Sequence, residues 1–274
     1  MKRGEIRVCV LRVPGTNCDA ETRRSFAALG VQAEVALLNE VVKKKSLMEY
    51  DVLVFPGGFS YGDYVRAGAI WAKWILAKAG RELKAFVDEG HLILGICNGF
   101  QVLVETGLLP GFEGMSLYPE AGLATNFPPG YNCRWISLKH ENNGKCVFTS
   151  KIPKGKVLHV PVAHSEGRFL FPKEKEKQYL EKLRKNDQLV FRYCSKDGEY
   201  AEGRFPANPN GSFHDIAGIC NPEGTVFGLM PHPERAFYWW QQPDWTRRER
   251  TAEYGDGRLI FESLIGYLEK KNKI

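Results

Sequence analysis

No apolar run in this 274-residue chain is long enough to span a bilayer, so no membrane role is expected. Metal-site spacings are missing as well. There is no Cys-x-x-Cys pair, and no two histidines stand four residues apart, which argues against a zinc ribbon or a helical His pair. Neither a P-loop nor a Gly-x-Gly-x-x-Gly motif occurs, so no nucleotide cofactor and no metal are expected in the chain itself. Charge of one sign is not gathered into a block. The net +6 is spread over Lys/Glu mixtures and argues against a nucleic-acid partner. No signal-peptide pattern follows Met1-Lys2-Arg3. The seven cysteines are an odd set without a close pair. Cys9, Cys97, Cys194 and Cys220 lie in or beside apolar runs, as free thiols of a reduced, cytoplasmic protein would.

What is present is an alternation of strand-like and helix-like stretches. A chain of this length should bury roughly 70–75% of its unfolded surface, and residues 1–274 are read as a single domain. Strands are expected over Ile6–Leu11, Val31–Leu38, Asp51–Phe55 and Leu92–Ile96. Helices are expected over Asp19–Leu29, Ala67–Ala79 and Glu82–Glu89, and from Asn98 onward. Such alternation implies an α/β fold, a central mostly parallel sheet with helices on both faces. Residues 110–133, rich in Gly, Pro and Asn, read as a loop. β-like segments follow at 134–138, 157–162 and 189–193, then a hairpin around Asn221-Pro222-Glu223-Gly224, all suited to a small antiparallel extension. The charged stretch Lys173–Asn186 reads as a solvated amphipathic helix. A terminal helix over Gly257–Lys270 would turn Ile260, Leu264 and Leu268 inward.

Three constellations carry chemistry. Gly95-Ile96-Cys97-Asn98-Gly99 directly follows the apolar run Leu92-Ile93-Leu94. A cysteine on a sharp strand-to-helix turn, with small residues two positions either side, is held proud of the sheet, and the new helix favours its thiolate. The Asn98 amide can then face a developing oxyanion. Taken alone, the motif also suits a buried small hydrophobe among glycines. His232-Pro233-Glu234 supplies a base and an orienting carboxylate. If Pro231 and Pro233 keep the chain extended, positions 232 and 234 share a face. Pro56-Gly57-Gly58-Phe59-Ser60, at a strand end, can aim backbone amides at an oxyanion or form a plain turn. His164-Ser165-Glu166-Gly167-Arg168 reads equally as a polar site loop or a solvated one. Phe237–Trp245, followed by Arg247, Arg248 and Arg250, suits a cover for the site, a docking surface, or packing against the terminal helix.

With Phe100-Gln101 added, the cysteine motif and His232-Pro233-Glu234 resemble the class I (triad) glutamine amidotransferases. Pro14-Gly15-Thr16-Asn17-Cys18-Asp19, the run Pro56–Tyr64 and Met230–Arg235 resemble, within that class, the glutaminase subunits of phosphoribosylformylglycinamidine synthases. The resemblance runs from about Val8 to Leu268. It implies a flavodoxin-like amidotransferase fold in which Cys97 attacks the side-chain amide of glutamine, His232 shuttles the proton and Glu234 orients His232. Gly58 and Asn98 would form the oxyanion hole, and Gly57, Gln101, His164, Ser165 and Glu166 would hold glutamine. Ammonia would pass to a large synthetase subunit, where ATP and Mg are expected, within a complex that includes a small accessory subunit. Family members commonly carry Gly where this chain has Ser165. The chain is also longer, between Leu109 and Trp135 and around Phe237–Trp245. The alternatives are an amidotransferase serving another acceptor, a cysteine hydrolase of the same fold, and a non-catalytic regulatory subunit.

Overall fold

The computed structural model describes residues 1–44, 46–247 and 253–271. Along the chain it forms β1 (Arg7–Arg12), α1 (Asp19–Ala27), β2 (Gln32–Leu37), α2 (Leu38–Lys44), β3 (Val52–Phe55), α3 (Ala69–Asp88), β4 (Leu92–Ile96) and α4 (Asn98–Glu105). It continues with β5 (Gly122–Ala124), β6 (Asn132–His140), β7 (Val157–His164), β8 (Arg168–Leu170), α5 (Glu176–Lys185), β9 (Leu189–Cys194), β10 (Ile216–Cys220), β11 (Val226–Leu229) and α6 (Arg258–Lys271).

The main sheet has the order β2-β1-β3-β4-β11-β10-β9-β6-β7. β2, β1, β3, β4 and β11 pair in parallel. β10, β9, β6 and β7 continue it in antiparallel pairs, and β5 pairs with β8 in a separate ribbon. The step from β1 to β2 runs one way along the sheet and the step from β3 to β4 runs the other. With right-handed crossovers, opposite steps place α1 and α3 on opposite faces. α1 is joined by α6, with Phe26 edge-on to Phe261 at 5.0 Å. α3 is joined by α4. Every residue of β3 and β4 is therefore buried. The reversal of strand order between β1 and β3 opens a crevice beyond their carboxyl ends, where sites form in such sheets.

Several expectations about elements needed correction. The two helices expected over 67–79 and 82–89 are one helix, α3, kinked at Ala79 (φ −138°, ψ 17°) just before Gly80. α2, β5 and β8 had no expectation, being short pieces without a clear period. β6 starts at Asn132, inside the stretch read as loop. The terminal helix presents Ile260, Leu264 and Leu268 to the core as expected. Among the described residues, no helix is long and apolar enough to cross a membrane.

Candidate active site

β4 ends buried on both faces, and the chain turns into α4 within one residue. That residue is Cys97, at φ 52° and ψ −106°, a conformation side chains seldom adopt. Strain of this kind persists only where the surroundings enforce it. Here they do: a Cβ on Gly95 would lie 2.8 Å from the Gly99 carbonyl, and a Cβ on Gly99 would lie 1.8 Å from that of Phe55. The elbow thus depends on two glycines letting α4 press against β3 and β4. Gly99→Ala is expected to destabilise the chain by more than about 3 kcal/mol, read as a lowered urea midpoint, because backbone rather than a flexible side chain must give way.

His232 follows β11, the neighbour of β4, and its amide donates to the Pro161 carbonyl at 2.8 Å. The ring is buried. Its Nδ1 lies 2.6 Å from Glu234 Oε1, and among the described residues its Nε2 has no hydrogen-bond partner. Burial opposes the imidazolium, but Glu234 and then the neighbouring Cys97 outweigh it and raise the His232 pKa well above its ordinary value. The extended segment expected here exists only at His232 (φ −104°, ψ 91°). Pro233–Ala236 is a 3₁₀ turn with Pro233 in its first position, where the missing N–H costs nothing. Glu234 therefore reaches the ring from a turn rather than along a strand.

Beyond β3 and β4 a small cavity is lined by Gly58, Asp63, Cys97, Gln101, His164 and Glu166, together with Phe59, Ala67, Ala163 and Ser165. Its volume is about 10 Å³, the room of roughly one water. Gly58 (φ 150°) bridges to Thr16, so the turns after β1 and β3 are zipped together. A Cβ at Gly58 would strike the Thr16–Asn17 backbone. Asn98 is the first residue of α4, where amides lack helical partners. Its side chain accepts from the Ser60 amide and donates to Gln101 Oε1 at 2.9 Å. Gln101 in turn donates to the Glu166 carbonyl. Gly57 does not line the cavity. It faces the His232 ring, and a Cβ there would lie 2.7 Å from Cε1.

The family described as the CobB/CobQ-like glutamine amidotransferase domain matches residues 5–268. The phosphoribosylformylglycinamidine synthase subunit PurQ of Archaeoglobus fulgidus is 49% identical, covering 98% of this chain and 100% of that protein. The Aquifex aeolicus protein of the same name is 44% identical over 84% of this chain and 89% of its own length. A solved structure titled PurLQS, from Thermotoga maritima, superposes with a TM-score of 0.72 at 33% identity, covering 96% of this chain and 99% of that one. The chain belongs to the PurQ family of glutamine amidotransferases. A glutamine amidotransferase of Thermotoga maritima, at 17% identity and a TM-score of 0.51, shares the fold.

Three residues around this amidotransferase site had no assignment from the sequence. Cys18, before α1, receives a hydrogen bond from Arg235 Nη2 at 3.2 Å and sits beside His232; burial first, and Glu234 also, push its pKa up to about 11. Among the described residues Cys18, His232 and Glu234 form the group that could hold a metal ion, their ligand atoms lying within 4.8 Å of one another. A metal there would break the His232–Glu234 pair. Asn126 binds the Gly167 amide, the His164 carbonyl and His164 Nδ1, and so fixes the whole 164–167 turn. The buried His164 ring has its pKa lowered to about 3, by burial first and then by His232. Asp63 lines the cavity itself. Cys18 and Asp63 lie inside Pro14–Asp19 and Pro56–Tyr64, segments that carry the family resemblance, but no role could be read for them there; Asn126 lies in the stretch read as loop, and all three act through contacts with distant segments.

The aromatic segment divides. Phe237 is buried against Phe261 of α6, whereas Trp240, stacked on Tyr238, and Trp245 are about half exposed. Arg247 is described and exposed; Arg248 and Arg250 lie outside the described residues.

Proposed function

We propose that this chain is the glutaminase subunit of a phosphoribosylformylglycinamidine synthase, cleaving glutamine at Cys97 and passing ammonia to a large synthetase subunit that uses ATP and Mg. The observation that carries the chemistry is the buried His232–Glu234 pair with a free Nε2 beside a cysteine held in a strained elbow. The relatives' names supply the acceptor and the partners, including the small accessory subunit suggested by the three-part title of the Thermotoga maritima structure.

In the reaction, the Cys97 proton is held on His232 Nε2, whose raised pKa favours the imidazolium, and the thiolate Sγ attacks the glutamine side-chain carbonyl carbon. The oxyanion faces the amides of Gly58 and Asn98. Collapse of this intermediate breaks the C–N bond, and the proton on His232 leaves with ammonia. Water, deprotonated by the same nitrogen, then cleaves the thioester and releases glutamate. Glu234 holds the ring in the tautomer that leaves Nε2 available. Glutamine is held by Gln101, Glu166 and the backbone around His164 and Ser165, while Gly57 gives His232 the space to approach.

Glu234→Gln tests the pair. Removing the carboxylate removes the charge that favours the imidazolium, so glutamine-dependent synthesis should fall by about 10³–10⁴-fold with little change in thermal stability. Undiminished synthesis by that variant would sink the assignment. The acceptor is tested by adding the nucleotide substrate and ATP to the assembled subunits and looking for the amidine product.

A further inference from the structure

We infer that Cys18, His232 and Glu234 form a binding site for one thiophilic divalent cation such as Zn²⁺, and that the bound ion reversibly stops the glutaminase. The inference rests on the glutaminase reading of Cys97 and adds an inhibitory metal site to it. Cys18 stands at the end of the turn after β1, and His232 and Glu234 follow β11. The ligands therefore come from opposite ends of the chain, where no spacing motif could show them. One ligand atom of each lies within 4.8 Å of the other two, and all three side chains are buried. Thiolate, imidazole and carboxylate are donors that zinc takes at about 2.0–2.3 Å, which sets neighbouring ligand atoms about 3.3–3.8 Å apart. The His232–Glu234 contact of 2.6 Å would widen by about 1 Å to admit the ion.

The surroundings favour such an ion. A Cβ on Gly57 would lie 3.4 Å from His232 Nδ1 and 3.1 Å from Cys18 Sγ, so the thiol stands on the Nδ1 side of the ring. Glu234 Oε1 meets Nδ1, but Oε2 is buried with no hydrogen-bond partner among the described residues. A buried carboxylate oxygen without a donor is costly, and a cation would satisfy it. Arg235 Nη2 already donates to Cys18 Sγ at 3.2 Å, the kind of outer contact that steadies a metal-bound thiolate. The Arg235 charge is matched by Glu21 at 2.8 Å, which limits its repulsion of the ion.

Binding releases two protons to solvent, the one that Cys18 donates to Asn17 Oδ1 and the one on His232 Nδ1. The ring keeps a single proton, on Nε2. Losing it would produce an imidazolate, so His232 could neither protonate the departing ammonia nor take a proton from water. Cys97 is not one of the ligands and is silenced without being bound.

The test begins with Zn²⁺ added to the assembled synthase. With one ion bound per chain, glutamine-dependent synthesis should fall at least about tenfold, ammonia-dependent synthesis should stay within about twofold, and a chelator should restore the loss. In Cys18→Ser, whose hydroxyl is a poor zinc ligand, the inhibitory concentration should rise at least about 30-fold, and Cys18→Ala should behave alike. Binding is read separately by adding Co²⁺ to the full chain, where a thiolate ligand gives a near-ultraviolet absorption band. The band should appear in wild type and in Cys97→Ala and be missing from both Cys18 variants. The Cys97→Ala arm decides even where the Cys18 variants fail to fold. A band that persists without Cys18, one that disappears with Cys97, or no band in wild type would overturn the site. A bound ion that leaves glutamine use unchanged would overturn the inhibition. A wild-type synthase that makes product from ammonia but not from glutamine would instead overturn the glutaminase reading beneath it, and the cobalt band would remain.

Discussion

Cys97→Ala is expected to remove glutamine-dependent synthesis by the assembled enzyme, with a loss of at least about 10³-fold, and to leave ammonia-dependent synthesis intact. The asymmetry follows from the division of labour. On the proposed mechanism the thiol at the end of β4 would form the bond to the glutamine carbonyl carbon, and no other side chain lining its cavity is a thiol or hydroxyl apart from Ser165. Free ammonia needs no nucleophile, because the synthetase subunit would receive it directly. Alanine removes one sulfur atom from a position only 5% exposed, so the elbow and the β4–α4 packing should survive. Initial rates with glutamine and with an ammonium salt, on the same preparation, provide the check. Loss of both activities would show Cys97 to be structural, and retention of both would place the nucleophile elsewhere. The same pair of assays separates this reading from a hydrolase of the same fold, which would have no ammonia-consuming partner to rescue it.

How much of this was legible in the residues follows a physical pattern. The elbow could be read because its demands are local. A nucleophile at a strand-to-helix turn needs glycine two positions either side, and Gly95 and Gly99 are both packed against backbone. His232 and Glu234 were legible for the same reason, although the turn that joins them was not. Pro233 is compatible both with extended chain and with the first position of a 3₁₀ turn, and tertiary packing decides between them. β1, β2, β3 and β4 were legible from their apolar runs, whereas β11, read only as an arm of a hairpin, also pairs in parallel with β4, and β5 and β8 are three residues each and exist only as partners of one another. Gly57 could be read as a glycine at a strand end, but not as the space into which a ring from the far end of the chain fits. Asp63 lies within the run Pro56–Tyr64 that carries the family resemblance, but its place in the cavity could not be read from pattern. A carboxyl group in a polar loop looks solvated until the fold brings Glu166 beside it.

The purified chain alone should be a poor glutaminase, and addition of the synthetase subunit with its nucleotide substrate and ATP should raise glutamate release on the order of 10²-fold. The cavity at Cys97 has a volume of about 10 Å³, which glutamine cannot enter without the walls parting. Its walls come from the turn after β3 and the turn after β7. The turn after β7 is tied to the first by the Ala67 amide, which donates to the Glu166 carboxylate, and to α4 by Gln101, which donates to the Glu166 carbonyl. Opening must loosen those bonds, so the open form is expected to be the minor one in the free chain. If it is populated at about 1%, a partner that binds only the open form can raise activity by about 100-fold and no more. Closure without the partner also prevents ammonia from being released where nothing consumes it, the logic by which substrate-driven assembly of a site trades rate for economy. Glutamate release by the chain is measured first alone, then with the synthetase, then with nucleotide and ATP added. A rise only at the last step would place the trigger in the loaded synthetase, and a rise at the second would place it in docking. Full turnover by the isolated chain would refute the gating argument and show that the walls part unaided.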